Sequence, residues 1–181
     1  GSASQIAPSG HTVAALVAVN AVGSAVIGDT GRFWAAPHEI DDEFGGLGLP
    51  ARWPHDATDP KLKGAASTTG TATTIAVIAT DATLTKAQAK RLAIQAHDGF
   101  ARALWPAHTP LDGDLVFALS TEERPLDEPL ADMVGLGITA AEVMARAIAR
   151  GVHAARPKPY DELPTWEDLW DDDGPVTRLV L

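Results

Sequence analysis

The chain has 181 residues, 45% of them hydrophobic and 21% charged, no cysteine, and a net charge of -10 from 14 Lys plus Arg against 24 Asp plus Glu. With a mean hydropathy near zero, this is the balance of a soluble globular domain, and an acidic chain without a basic block offers nothing to neutralise a nucleic acid backbone or an anionic membrane surface. The lack of cysteine excludes a disulfide framework, a zinc-thiolate site and a Cys nucleophile, leaving covalent chemistry to Ser or Thr.

The longest apolar run, Val13 to Val19, is far short of the roughly 18 to 20 residues of a membrane span and fits a buried strand. Gly1 to Gln5 show neither a basic nor an apolar leader region, so a cytoplasmic location is expected. The apolar segment His11 to Asn20 predicts a strand covered on both faces, and Ala21 to Ile27 a second one before the turn Gly28-Asp29-Thr30-Gly31. Periodicity then fails from Phe33 to Thr71, where prolines, glycines, Trp34 and Trp53 predict a long loop, flexible near 61–71. Those two tryptophans could line a pocket or fasten the loop.

Thr73 to Thr80 is rich in β-branched residues and predicts a buried strand. Thr85 and Gln88 then form a capping box, and apolar positions at Ala89, Leu92, Ala96, Phe100 and Ala103 predict one helix ending before Pro106. A strand at Leu115 to Leu119 follows the turn Asp112-Gly113-Asp114, and a second box, Thr139 with Glu142, predicts a helix through Val152. The acidic remainder, 157–181, with Trp166 and Trp170, reads as a tail draped on a surface and disordered at its end.

The common catalytic signatures are absent: no Gly-x-Ser-x-Gly, no phosphate-binding loop, no His-Glu-x-x-His. None of the six histidines pairs with another at metal-ligand spacing, so neither a metal nor a cofactor is expected. Taken alone, Asp112 and Asp114 are either a carboxylate site or a turn, and Asn20 either aims its amide into a cleft or closes a turn. Composition and periodicity reach only an α/β domain.

Several segments together go further. Thr-Val-Ala-Ala-Leu-Val-Ala-Val-Asn-Ala-Val-Gly from Thr12, Thr-Thr-Ile-Ala-Val-Ile-Ala-Thr-Asp-Ala from Thr73, Ala-His-Asp-Gly-Phe-Ala-Arg from Ala96 and His-Thr-Pro-Leu-Asp-Gly-Asp from His108 occur in that order. They resemble the self-processing aminopeptidases that include L-aminopeptidase/D-Ala-esterases, β-peptidyl aminopeptidases and endo-type nylon-oligomer hydrolases. The resemblance implies a four-layer αββα sandwich of the N-terminal-nucleophile type, only partly supplied by this chain. Residues 1–72 would be the C-terminal part of a large subunit and 73–181 the small subunit.

The resemblance also assigns roles. The precursor would cut itself between Ala72 and Thr73, making Thr73 the nucleophile. Its freed α-amino group, with a pKa near 7.7 to 8.0, would serve as its base. Thr74 is the alternative nucleophile. Asn20 would polarise the oxyanion, while Asp112 and Asp114 would orient the nucleophile and its amine. His97 and Asp98 are assigned to packing and to the helix surface. The implied activity is hydrolysis of amide bonds in small peptides or amide oligomers, with the remainder of the large subunit and further copies of the chain as partners. Ala72 stands where the family commonly has Asn, and Lys61 and Lys63 do not match the lysine that the family places before the matched region. Two other readings stay open: an acyltransferase of the ornithine acetyltransferase type, and an unprocessed, non-catalytic interaction domain.

Overall fold

The computed structural model describes residues 1–59, 72–161 and 163–170. Four strands, β1 (Ser2–Ile6), β2 (Thr12–Ala18), β3 (Ile75–Ala82) and β4 (Leu115–Arg124), form one sheet in that order. The first two pairings are antiparallel and β3 runs parallel to β4. A parallel pair needs a crossover, which α1 (Lys86–Ala96) and α2 (Asp98–Ala103) supply. The long helix α3 (Pro129–His153) packs on β1, β2, α1 and α2, and the short α4 (Trp166–Trp170) touches α3. Among the described residues no helix is long and apolar enough to cross a membrane.

The mixed α/β class follows the sequence, but several elements differ from expectation. The apolar strand is not covered on both faces: on β2, Val13, Ala15 and Val17 are buried under the helices whereas Leu16 and Ala18 are exposed. Register aligns Leu16, Val77 and Phe117 in one row across the sheet, and Leu16, Phe117, Ile75 and Leu119 are 63, 60, 47 and 49% exposed. Residues 21–27 form no strand, because the Val22 N–H goes to the Asp112 carboxylate and Ser24 and Val26 make isolated bridges to Trp105 and Phe33. β1 was hidden by its small polar residues, and β4 runs past Leu119 through the polar, exposed end Thr121 to Arg124.

The first capping box is present, with Thr85 N–H donating to Gln88 Oε1 at 2.9 Å. The helix it opens breaks at His97 rather than running to residue 103. Directly after the break, a Cβ on Gly99 would lie 2.5 Å from the Ala141 carbonyl, so glycine permits the close approach of α2 to α3. The second box is not a helix start. α3 begins at Pro129, suited to a first turn, with Glu128 N–H bonded to the Asp132 carboxylate at 3.0 Å. Thr139 is buried within the helix and Glu142 accepts from Gln5. Gly135 and Gly137 blur the apolar spacing upstream of Thr139.

The loop after Phe33 is also more ordered than its composition predicts. Phe33, Ala35 and Phe44 join the core, and a short 3-10 helix spans Ala36–His38. Trp34 meets Trp53 and Trp105 with ring centroids 5.7 and 6.1 Å apart, so the tryptophans fasten the loop. At the other end of the chain, Trp166 stacks on Phe33 and donates its indole N–H to the Gly31 carbonyl at 2.9 Å. The expected flexibility at 61–71, Lys61 and Lys63, and the tail end at 171–181 lie outside the described residues.

Candidate active site

Residues 72–74 lead into β3 and are already held by their neighbours. Ala72 bridges Asp112, the Gly113 N–H donates to the Ala72 carbonyl at 2.9 Å, and Leu115 N–H donates to the Thr74 carbonyl at 3.1 Å. On the opposite side, Thr73 N–H donates to the Asn20 carbonyl at 2.9 Å. The Thr73 hydroxyl lies 2.7 Å from the carbonyl oxygen of Ala72, its own preceding residue. A Cβ at position 113 would fall 2.7 Å from that hydroxyl, so a glycine there leaves it room. Thr73 is partly exposed; Thr74 is fully buried, its hydroxyl 3.4 Å from the Asn20 N–H.

The Asp114 carboxylate holds the backbone just after Thr73, and the Asp112 carboxylate ties the turn before β4 to Val22 and Thr109. Asp112 accepts from Val22 N–H at 3.0 Å and, through its other oxygen, from the backbone and hydroxyl of Thr109 at 2.9 and 2.7 Å. Asp114 accepts from Thr74 N–H at 2.8 Å through one oxygen, and its other oxygen is 2.8 Å from His108 Nδ1. Charge-assisted bonds of this kind are the strong ones. Thr73, Asn20, Asp112 and Asp114, separated by up to 94 residues in sequence, thus converge on one junction where β2 ends and β3 and β4 begin.

Two histidines join them. His97, expected to serve packing, sits at the α1–α2 break with Nδ1 3.2 Å from His108 Nε2, and both rings stack on the buried Phe100. Burial holds the His97 imidazole below its ordinary pKa of 6.5, and the neighbouring His108 adds to this, against the opposing pull of Asp114 and Asp98. His108 adopts φ +53°, in the left-handed region. Only its place at the head of the His-Thr-Pro-Leu-Asp-Gly-Asp segment pointed to it in the sequence. A cavity of about 380 Å³ opens beside the pair, lined by Ile94, Thr109, Asp112 and Asp114 as well. Among the described residues no group of three or more His, Cys, Asp or Glu is arranged to hold a metal ion. Asp98 is exposed on the surface.

The model of peptidase family S58 matches residues 1–160. The chain belongs to this family. It is 39% identical over 180 residues to an uncharacterized aminopeptidase, Rv1333, of Mycobacterium tuberculosis, covering 94% of this chain and 51% of that protein. It is 33% identical over 84 residues, 42% of this chain and 24% of the other, to a 6-aminohexanoate-oligomer endohydrolase of a Kocuria species. In fold it is similar to the L-aminopeptidase D-Ala-esterase/amidase of Ochrobactrum anthropi, described as a variant of the N-terminal-nucleophile hydrolase fold, with a TM-score of 0.50, 22% identity, and coverage of 89% of this chain and 42% of that one. The chain spans about half the length of the mycobacterial relatives it matches. The S58 chain therefore has the α/β architecture of the N-terminal-nucleophile aminopeptidases, with one sheet and its helices described here.

Proposed function

We propose that the full-length protein is a cytoplasmic N-terminal-nucleophile amidohydrolase that cuts itself before Thr73 and then hydrolyses amide bonds of small peptides or amide oligomers. The observation that carries this reading is the Thr73 hydroxyl, 2.7 Å from the carbonyl of the very peptide it would cut, in a segment clamped between Asn20 and the Asp112–Asp114 turn. Membership of peptidase family S58 and the names of its relatives support the class of reaction.

In self-cleavage, Thr73 Oγ adds to the Ala72 carbonyl carbon, and the Gly113 N–H already donates to the oxygen that gains charge. Collapse breaks the C–N bond, the nitrogen takes the hydroxyl proton, and the resulting ester is hydrolysed by water. Ala72 then ends in a carboxylate and Thr73 begins with a free amine. The Asn20 carbonyl, which accepts from the Thr73 N–H in the uncut chain, is placed to keep that amine in position.

In turnover, the neutral amine takes the Thr73 hydroxyl proton as Oγ attacks the substrate carbonyl. The departing amine of the substrate receives a proton, and water resolves the acyl-enzyme. Asn20 polarises the oxyanion, Asp114 holds the backbone just after Thr73, and Asp112 fixes the turn that carries Asp114 to Val22. The apolar face with Leu16, Ile75, Phe117 and Leu119 exposed is the seat we assign to the remainder of the large subunit. Curated relatives are about twice as long as this chain, so such a segment is available. Covering Leu16, Ile75, Phe117 and Leu119 is worth roughly 1.5 to 3 kcal/mol for each fully buried side chain. Association of further copies would build on that covered unit.

Replacing Thr73 with Ala in the full-length protein tests the reading. The variant should stay uncut by intact mass and lose turnover by as much as about 10⁶-fold, the scale of a lost nucleophile, while keeping its fold by circular dichroism. Retained cleavage or turnover overturns it. Transfer to an added amine in preference to water points instead to the acyltransferase chemistry.

A further inference from the structure

Asp114 is bonded through its second oxygen to His108, a residue to which the chemistry above gives no task. Resting on the reading of Thr73 as nucleophile, we propose that His108 is a positioning residue that fixes the Asp114 carboxylate.

The geometry of the carboxylate carries this role. The Asp114 side chain is only 3% exposed, and its two oxygens are divided between Thr74 N–H and His108 Nδ1, each at 2.8 Å. A carboxylate is acceptor-only, so His108 must present N–H at Nδ1. Without that donor one buried carboxylate oxygen loses its partner, and the carboxylate is free to turn away from Thr74, the residue next to the nucleophile. His108 is held for this by stacking on Phe100 and by an uncommon left-handed backbone conformation, the sort of outlier that concentrates at functional positions.

The test uses the full-length protein with His108→Ala and His108→Asn. Intact mass reports self-cleavage, and kcat and KM are measured on the best substrate of a panel of aminoacyl p-nitroanilides. An Asn side chain keeps a donor at the Nδ1 position. His108→Ala should lower kcat roughly tenfold or more, the scale of one hydrogen bond to a charged group, with KM changed much less. His108→Asn should recover most of kcat. A wild-type protein that cuts and turns over while His108→Ala matches it, or an Asn variant no better than the Ala variant, overturns the proposal and leaves Thr73 standing. A wild-type protein that neither cuts nor hydrolyses any anilide overturns the underlying reading and the proposal with it.

Discussion

Two clusters of charge, one beside β1 and one where β3 and β4 begin, are built differently. Under α3, Arg146 donates Nη2–H to Glu43 Oε2 at 3.0 Å and Nη1–H to the Ser4 carbonyl at 3.2 Å, with the Arg146 side chain 7% and that of Glu43 13% exposed. At the head of β3, Asp114 is as deeply covered, but its partner His108 is 37% exposed and opens onto a cavity. The sealed pair ties the loop after Phe33 to β1 and α3 and has no access to a substrate. The open chain gives a buried carboxylate a titratable partner. The two carboxylates are alike in burial; what sets Asp114 apart is a partner open to a cavity and a bond to the residue after Thr73.

Substitutions should separate the two. Arg146→Met leaves Glu43 only the half-exposed Arg150, 3.4 Å away, and should destabilise the protein by about 3 kcal/mol in urea unfolding, the low end of the scale for breaking a buried pair. The molecules that remain folded should keep their kcat. Restoring an apolar partner with the double change Arg146→Met, Glu43→Leu should recover most of that loss. At the open cluster, Asp112→Asn should act the other way round. It places an amide against donors at Val22 or Thr109, so self-cleavage should slow roughly tenfold while stability falls by only about 1 to 2 kcal/mol.

The smallest and most diagnostic difference is in pH. Burial lowers the His97 pKa below 6.5, so the unfolded chain binds the proton more tightly, and this contribution to stability is lost as pH falls through about 6.5. For Glu43, burial raises the pKa but the Arg146 bond and charge outweigh it, leaving it below 4.5. Its contribution is therefore full above about 4.5 and lost as pH falls lower. Urea midpoints measured from pH 8 to 4 should show two separate losses. Burial lowers His38 and His153 in the same way, so His97→Phe should shrink the upper loss without removing it, and Arg146→Met should shrink the lower.

The sequence exposed the site's residues better than its geometry. The apolar runs marked β2 and β3, and the Thr85–Gln88 box marked α1, because local hydrogen bonding and side-chain spacing decide those elements. Thr139 and Glu142 gave the same box pattern in the middle of a helix, since nothing local shows that Pro129 has already started it. Asn20, Thr73, Asp112 and Asp114 were found through ordered family segments. No spacing rule could show that Asp112 would bond Val22, ninety residues before it, or that a helix break at His97 would bring its ring to His108. Those contacts come from the crossover between β3 and β4 and from the close packing of α2 on α3, both properties of the assembled chain.

The most direct test of the account is the N-terminal residue of the smaller piece released when the full-length protein is purified. The account predicts two polypeptides, the smaller one beginning at Thr73. A single uncut species that turns over amides, or a cut that leaves any other residue at the new N-terminus, would contradict it.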